Sequence, residues 1–74
     1  MTALPKVGTL MVDTSRRDRV GEFRGVAGVR WSLRPVTGGT EWEAEPRDVR
    51  PADSAERLHA ETARANARSR GALL

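Results

Sequence analysis

Two segments near the middle of the chain alternate between apolar and polar residues, and this pattern constrains the fold most strongly. Residues 27–34 and residues 40–45 both alternate with a period of two. Successive side chains of a strand point to opposite faces, so the alternation predicts two strands that each bury one face. Residues 35–39, Pro-Val-Thr-Gly-Gly, supply turn chemistry and predict a hairpin. The register that matches apolar with apolar side chains pairs Leu33 with Trp42, Trp31 with Ala44, Ser32 with Glu43, Arg34 with Glu41 and Arg30 with Glu45.

Other segments of the first two thirds of the chain also predict strands. Residues 7–12 form an apolar run with β-branched members, and residues 20–24 follow a turn-rich stretch. Residues 47–50 lie between two prolines and predict a short fifth strand or a single 3₁₀ turn. The strands together predict a core of eleven residues: Leu10, Val12, Val20, Phe23, Val26, Val29, Trp31, Leu33, Trp42, Ala44 and Val49.

The composition changes near Pro51, after which alanine, arginine and polar residues dominate. Asp53 followed three residues later by Glu56 has the spacing of a capping box and predicts the start of a helix at Ser54. The helix is expected to reach Arg70, and beyond Asn66 to be frayed or to project into solvent. Its predicted apolar face is thin and comprises Ala55, Leu58, Thr62 and Ala65. The predicted organisation is therefore a small β-barrel over residues 1–52 and a helix with a tail over residues 53–74, in one structural domain.

Composition excludes several classes of protein. Among the 74 residues there is no cysteine and a single histidine, His59, so neither disulfides nor a His/Cys metal cage is expected. We found no signal-peptide pattern at the N-terminus and no apolar run of the roughly 18 residues that a membrane span needs. The expected location is the cytoplasm, with no membrane partner and no cofactor.

Thirteen basic and ten acidic residues give a net charge of +3. The candidate binding surface consists of seven arginines, three in the first turn and four in the predicted helix: Arg16, Arg17, Arg19, Arg57, Arg64, Arg68 and Arg70. Clustered cations of this kind can hold phosphates without reading bases. Acidic residues are interleaved with them throughout, so no face is expected to be strongly cationic.

Four other groups are weaker candidates. Arg30 and Arg34 lie near Trp31, but alternation places the ring on the opposite face. The three aromatic residues could line a peptide groove, although in so small a protein they are expected to form the core. The row Glu41, Glu43 and Glu45 faces outward, which disfavours catalytic carboxylates, because such groups need burial to separate their pKa values. His59 has no Cys or Ser neighbour in the helix to form a triad.

Residues 7–52 resemble an SH3-like small barrel of the KOW type. The resemblance is carried by residues 7–13, by residues 19–23, by the Leu-Arg-Pro that ends the hairpin and by the closing Val-Arg-Pro of residues 49–51. The whole chain, notably residues 38–42 and 65–71, also resembles a group of small actinobacterial proteins. The KOW resemblance implies binding to RNA or to regulatory proteins.

The sequence thus predicts a mainly β protein, an SH3-like barrel of four to five antiparallel strands followed by a C-terminal helix. The expected function is a small non-catalytic protein-interaction module that serves a larger regulatory complex. The alternative is a nucleic-acid-binding protein that uses the basic loop 16–19 and the basic helix 57–70. The expected partner is an unidentified protein, and association of copies through the C-terminal helix is left open.

Overall fold

A computed structural model describes the backbone of residues 4–72 and the side chains of residues 4–69. Five strands and one helix follow each other along the chain: β1 (Leu10–Asp13), β2 (Arg19–Ala27), β3 (Arg30–Pro35), β4 (Trp42–Ala44), β5 (Val49–Pro51) and α1 (Ser54–Ala72). A first 3₁₀ turn (Thr14–Arg16) separates β1 from β2, and a second (Pro46–Asp48) precedes β5. Both the short strand and the 3₁₀ turn expected within residues 47–50 are therefore present. The mainly β architecture with one C-terminal helix is confirmed.

All strands belong to one antiparallel sheet with the order β4-β3-β2-β1-β5. The expected closed barrel is wrong, because the sheet keeps two edges, β4 and β5. Each edge strand has three residues, and a single 3₁₀ turn joins them. Pro46 and Pro51 lack backbone N–H groups, so this stretch of chain has few donors for a closing ladder.

The predicted register between β3 and β4 is confirmed at three pairs, Trp31 with Ala44, Ser32 with Glu43 and Leu33 with Trp42. The two charged pairs expected at its ends, Arg34 with Glu41 and Arg30 with Glu45, are not part of the ladder. β4 spans only Trp42–Ala44, so both glutamates lie outside it. The Glu41 carboxylate instead accepts a hydrogen bond from Ser32 Oγ at 2.9 Å. Glu45 contacts Arg47 Nε at 2.8 Å.

The sheet is apolar on both faces. The face that we call the tryptophan face carries one cluster of buried residues: Met11, Phe23, Trp31, Leu33, Trp42 and Ala44. The opposite face, the helix face, buries Leu10 and Val12 of β1 against Ala52 and against Ala60 of α1. β1 therefore lies between two apolar layers, which explains why all four of its residues are buried.

Two members of the predicted core are wrong. Val26 is 53% exposed and Val29 is 89% exposed. A bulge between Phe23 and Gly25 shifts the pairing of β2 with β3, and the hairpin turn falls at Gly28 and Val29. Val20 and Val49 are only partly buried, whereas Met11, Ala52 and Ala60 are buried core residues that the alternation did not indicate.

The capping box at the start of α1 is confirmed. The backbone N–H of Glu56 donates to Asp53 Oδ1 at 2.8 Å, and that of Asp53 donates to Glu56 Oε1 at 2.9 Å. Arg50 of β5 binds the same glutamate with two hydrogen bonds of 2.8 Å each. The first turn of α1 is therefore joined to the sheet edge, which sets the rotation of the helix.

The predicted apolar face of α1 is wrong. Leu58 is 67% exposed, whereas Ala60 is buried and Ala63, Arg64 and Ala67 are half-buried. The helix continues to Ala72, two residues beyond the expected end. It thus packs on the sheet through a stripe of small side chains, with its one large apolar residue turned to solvent.

Candidate binding groove

An apolar groove opens between the N-terminal segment and the second 3₁₀ turn, with a volume of about 480 Å³. Its floor is formed by core residues of the tryptophan face, Met11 and Trp31, together with Val49 of β5. The remaining lining residues form the walls: Pro5, Thr9, Pro46, Arg47 and Pro51. Because β4 and β5 do not pair, side chains of the core are reached from outside at this point.

A second depression of about 460 Å³ adjoins this groove and shares Pro46 and Arg47 with it. It is further lined by Val29, Arg30 and Glu45. We call the two together the mouth groove. Its lining residues extend from Pro5 through the second 3₁₀ turn to the tip of the β2–β3 hairpin.

The charge around the mouth groove is positive. Arg47 and Glu45 form an exposed ion pair. Arg30 is exposed and has no acidic side chain within 4.0 Å among the described residues. Lys6, which follows Pro5, is exposed as well. The rim therefore carries an excess of cations over an apolar floor.

The basic loop of the first turn is built around a buried carboxylate. Asp13 is fully buried and accepts hydrogen bonds from Trp42 Nε1 at 2.9 Å, from Ser15 Oγ at 2.6 Å and from the Ser15 backbone N–H at 2.9 Å. Burial raises the pKa of Asp13, but these hydrogen bonds and the charge of Arg16 outweigh it, so the pKa lies below its usual value. The aspartate thereby links the end of β1 to the tryptophan of β4.

The arginines of this loop take separate positions. Arg16 Nε lies 3.8 Å from Asp13 Oδ2, and the guanidinium of Arg19 stacks over the Trp42 ring at 4.2 Å from its centroid. Arg17 is exposed in the left-handed conformation, with φ of 55°, and Asp18 follows at 57°. Two consecutive non-glycine residues in this region are uncommon, and they turn the chain sharply into β2.

The arginines of the helix also differ in their contacts. Arg64 Nη2 lies 2.8 Å from Glu22 Oε2 of β2 and joins the helix to the sheet. The angle does not suit a hydrogen bond, so this contact is chiefly electrostatic. Arg57 and Arg68 are exposed. The Arg70 side chain lies outside the described residues. The seven predicted arginines therefore do not all face one way as free cations, since three of them are held by neighbours.

The weaker candidates lie either in the core or on exposed surfaces. Trp31, Trp42 and Phe23 are buried in the core, and only Trp31 also lines the mouth groove. Glu43 is exposed on β4, and His59 borders a shallow depression beside Val36 and Ala60. Across residues 4–72 no group of three or more His, Cys, Asp or Glu side chains is placed to hold a metal ion. No helix in that range is both long and apolar enough to cross a bilayer.

Sequence reasoning missed the mouth groove. Three of the four prolines of the chain line it, but they are 5 to 46 positions apart in the sequence. A proline beside a short strand does indicate a sheet edge. What brings Pro5, Pro46 and Pro51 together is the pairing of β5 with β1, which is long-range.

Comparison with protein families, with curated proteins and with solved structures found no match for this chain. Function must therefore be argued from the groove itself.

Proposed function

We propose that this protein is a non-catalytic protein-interaction module that binds a linear segment of a partner polypeptide in the mouth groove. The observation that carries the proposal is the groove at the open end of the sheet, which residues of the tryptophan-face core line. Met11, Trp31 and Val49 form an apolar floor within a volume that lies in the range of about 300–1,000 Å³ typical of ligand sites. Apolar floors with polar rims are the usual form of a recognition surface.

Side-chain recognition suits this edge better than the addition of a β-strand. A peptide that extends a sheet needs a row of free N–H and C=O groups on the edge strand. β5 has three residues, of which Pro51 has no N–H, and Pro46 stands just before it in the 3₁₀ turn. A partner is therefore expected to be held by apolar side chains that enter the groove and by charged contacts at its rim.

The strand order supports assignment of the sheet to the SH3-like class of small β folds, which remains part of this proposal. β1 to β4 form a meander, and β5 returns to pair with β1 after a 3₁₀ turn. A domain of 74 residues without cysteine is suited to a role as an accessory subunit of a regulatory complex in the reducing cytoplasm.

The nucleic-acid alternative finds less support. Binding to phosphates requires cations that are free to contact them. Arg16, Arg19 and Arg64 are engaged with Asp13, Trp42 and Glu22 respectively. Arg17, Arg57 and Arg68 remain exposed, and they belong to two different elements.

Affinity capture from native lysate, with and without nuclease, tests the proposal when it uses two matched variants. Thr9→Trp places a large ring in the groove, because Thr9 is half-buried and lines it. Leu58→Trp places the same ring on the exposed side of α1, away from the groove. Each captured protein is identified, purified and mixed again with the three proteins, and the dissociation constant is measured by calorimetry.

The expected result is one defined partner that resists nuclease, binds the wild type and Leu58→Trp equally, and loses at least about tenfold in affinity with Thr9→Trp, as when a central contact of an interface is blocked. Equal binding by all three proteins would place the interface elsewhere and refute the proposal. Tight binding to duplex or single-stranded nucleic acid that weakens steeply with salt, and that Arg16→Ala/Arg17→Ala/Arg19→Ala abolishes, would replace it with the nucleic-acid alternative.

A further inference from the structure

The charges at the rim of the mouth groove restrict the chemistry of what it can hold. Two arginines line its second depression, Arg30 and Arg47, together with one acidic residue, Glu45. The Glu45 carboxylate forms an ion pair with Arg47, with Oε2 and Nε 2.8 Å apart. Arg30 therefore has no acidic neighbour in the described part of the chain. Lys6 adds a further exposed cation next to Pro5. A ligand with a carboxylate is therefore favoured at the second depression, and a cationic ligand is repelled there.

The floor adds a second restriction. Its apolar surface comes from Met11, Trp31 and Val49, and the adjoining depression is bordered by the exposed Val29. Binding there is stabilised by removal of apolar surface from water, at roughly 25 cal/mol per Å². A purely acidic chain has nothing to place on this floor. The ligand must combine large apolar side chains with carboxylates.

The shape adds a third restriction. The two depressions share Pro46 and Arg47 as lining residues, so an occupant of both must extend past the second 3₁₀ turn. An extended peptide satisfies this condition, since its successive side chains are separated by about 3.3 Å along the chain.

Resting on the proposed function, we infer that the mouth groove takes an extended acidic peptide. Large apolar side chains of the peptide occupy the floor beside Trp31, and a flanking Asp or Glu carboxylate contacts Arg30.

Selection from a phage-displayed library of random twelve-residue peptides, carried out on the full chain at about 50 mM salt, tests this inference. Selected sequences are synthesised with a fluorophore, and affinities are measured by anisotropy. The charge-reversal variant is Arg30→Glu/Arg47→Glu, with Arg57→Glu/Arg68→Glu as the matched control. Both variants change the net charge equally, and the control acts on exposed helix residues outside the groove. Circular dichroism establishes that each variant is folded.

The expected peptides pair large apolar residues with Asp or Glu, and Thr9→Trp blocks them. Their affinity is expected to fall at least about tenfold with Arg30→Glu/Arg47→Glu and less than about twofold with the helix control, because the attractive contact with Arg30 becomes repulsive and the charge beside the groove changes sign. The effect should shrink at about 500 mM salt, where exposed charges are screened.

Two results would overturn the inference, and they differ in what they leave standing. Peptides that Thr9→Trp blocks but that lack acidic residues, and that tolerate Arg30→Glu/Arg47→Glu, would refute the acidic ligand while the proposed function survives. A selection in which no peptide is blocked by Thr9→Trp would refute the groove as a binding site, and with it both the inference and the proposed function.

Discussion

Replacement of Trp42 by phenylalanine tests the contact that joins β4 to the end of β1. The substitution keeps an aromatic ring on the tryptophan face but removes the indole N–H that donates to the buried Asp13 at 2.9 Å. It also removes part of the surface on which the Arg19 guanidinium stacks. Trp31→Phe is the matched control, since the same atoms are deleted and no hydrogen bond of the Trp31 indole is present among the described residues.

The expected magnitude follows from those two contacts. A hydrogen bond to a charged group contributes about 1.5–3 kcal/mol, and its loss here leaves one oxygen of a buried carboxylate unsatisfied. The cation–π contact adds about 0.5–1 kcal/mol at an exposed site. Trp42→Phe should therefore cost about 2–4 kcal/mol more than Trp31→Phe. A chain of 74 residues is expected to have a free energy of unfolding of only about 4–11 kcal/mol, so the difference is large.

Thermal and urea unfolding followed by circular dichroism measure this difference. A gap of about 2–4 kcal/mol corresponds to roughly 8–30 °C in Tm for a domain of this size. The same experiment at acid pH has a defined sign. The pKa of Asp13 is lowered in the folded state, so its contribution is complete above the unfolded pKa of about 3.9 and is lost as the pH falls through the folded value.

Trp42→Phe weakens one cause of that lowering, so its stability should decline less than that of the wild type as the pH falls below about 4. A double-mutant cycle isolates the contact between Asp13 and Trp42. In the Asp13→Asn background, Trp42→Phe should therefore lower the free energy of unfolding by less than it does in the wild type. If Trp42→Phe and Trp31→Phe unfold within about 0.5 kcal/mol of each other, the hydrogen bond does not carry the role assigned to it.

Three further predictions concern single positions. Gly21→Ala should destabilise by about 1–3 kcal/mol in urea unfolding, because the added Cβ would stand 2.6 Å from Trp42 Cη2 and 2.9 Å from a backbone oxygen; an unchanged midpoint would refute this close packing. Asp53→Ala removes a side-chain acceptor of the capping box and should cost about 0.5–2 kcal/mol, with faster amide exchange in the first turn of the helix as its signature; uniform exchange rates along α1 in both proteins would contradict it. Leu58→Ser should change the free energy of unfolding by less than about 0.5 kcal/mol, whereas Ala60→Leu should lower it by about 1–3 kcal/mol. A larger loss with Leu58→Ser than with Ala60→Leu would show that the apolar face expected from the sequence is the correct one.

The N-terminal half of α1 offers a pH test that is independent of Asp13. The hydrogen bonds from Arg50 and the backbone N–H of Asp53 lower the pKa of Glu56 to about 2. Its contribution is therefore present above the ordinary glutamate pKa and disappears as the pH falls toward 2. With Glu56→Gln, the free energy of unfolding measured by circular dichroism should fall less between about pH 5 and about pH 2 than it does in the wild type. The same fall in both proteins would contradict the role given to the Glu56 carboxylate.

Local pattern determined much of this protein without reference to its tertiary structure. Alternation in residues 27–34 and 40–45 was sufficient to predict the register of β3 on β4, because a slip of one residue would turn Trp42 toward water. The spacing of Asp53 and Glu56 was sufficient to predict where α1 begins, since both partners of a capping box lie within one turn of chain. Each of these features depends on neighbours in the sequence or on one hairpin.

The remaining features depend on contacts between distant residues. The rotation of α1 is set by Arg50 on β5, so Ala60 rather than Leu58 meets the sheet. The bulge in β2 is a property of its pairing with β3, and Val29 is exposed because it lies in the turn of this hairpin, although the alternating pattern placed it in the core.

The mouth groove depends on such contacts most of all. It exists because β5 pairs with β1 and leaves β4 as the other edge, and no periodicity in one strand carries information about which strand will be its second neighbour. Local propensity and alternation act within a few residues, whereas the sheet edge beside which Trp31 lines the groove is decided by the packing of the whole chain.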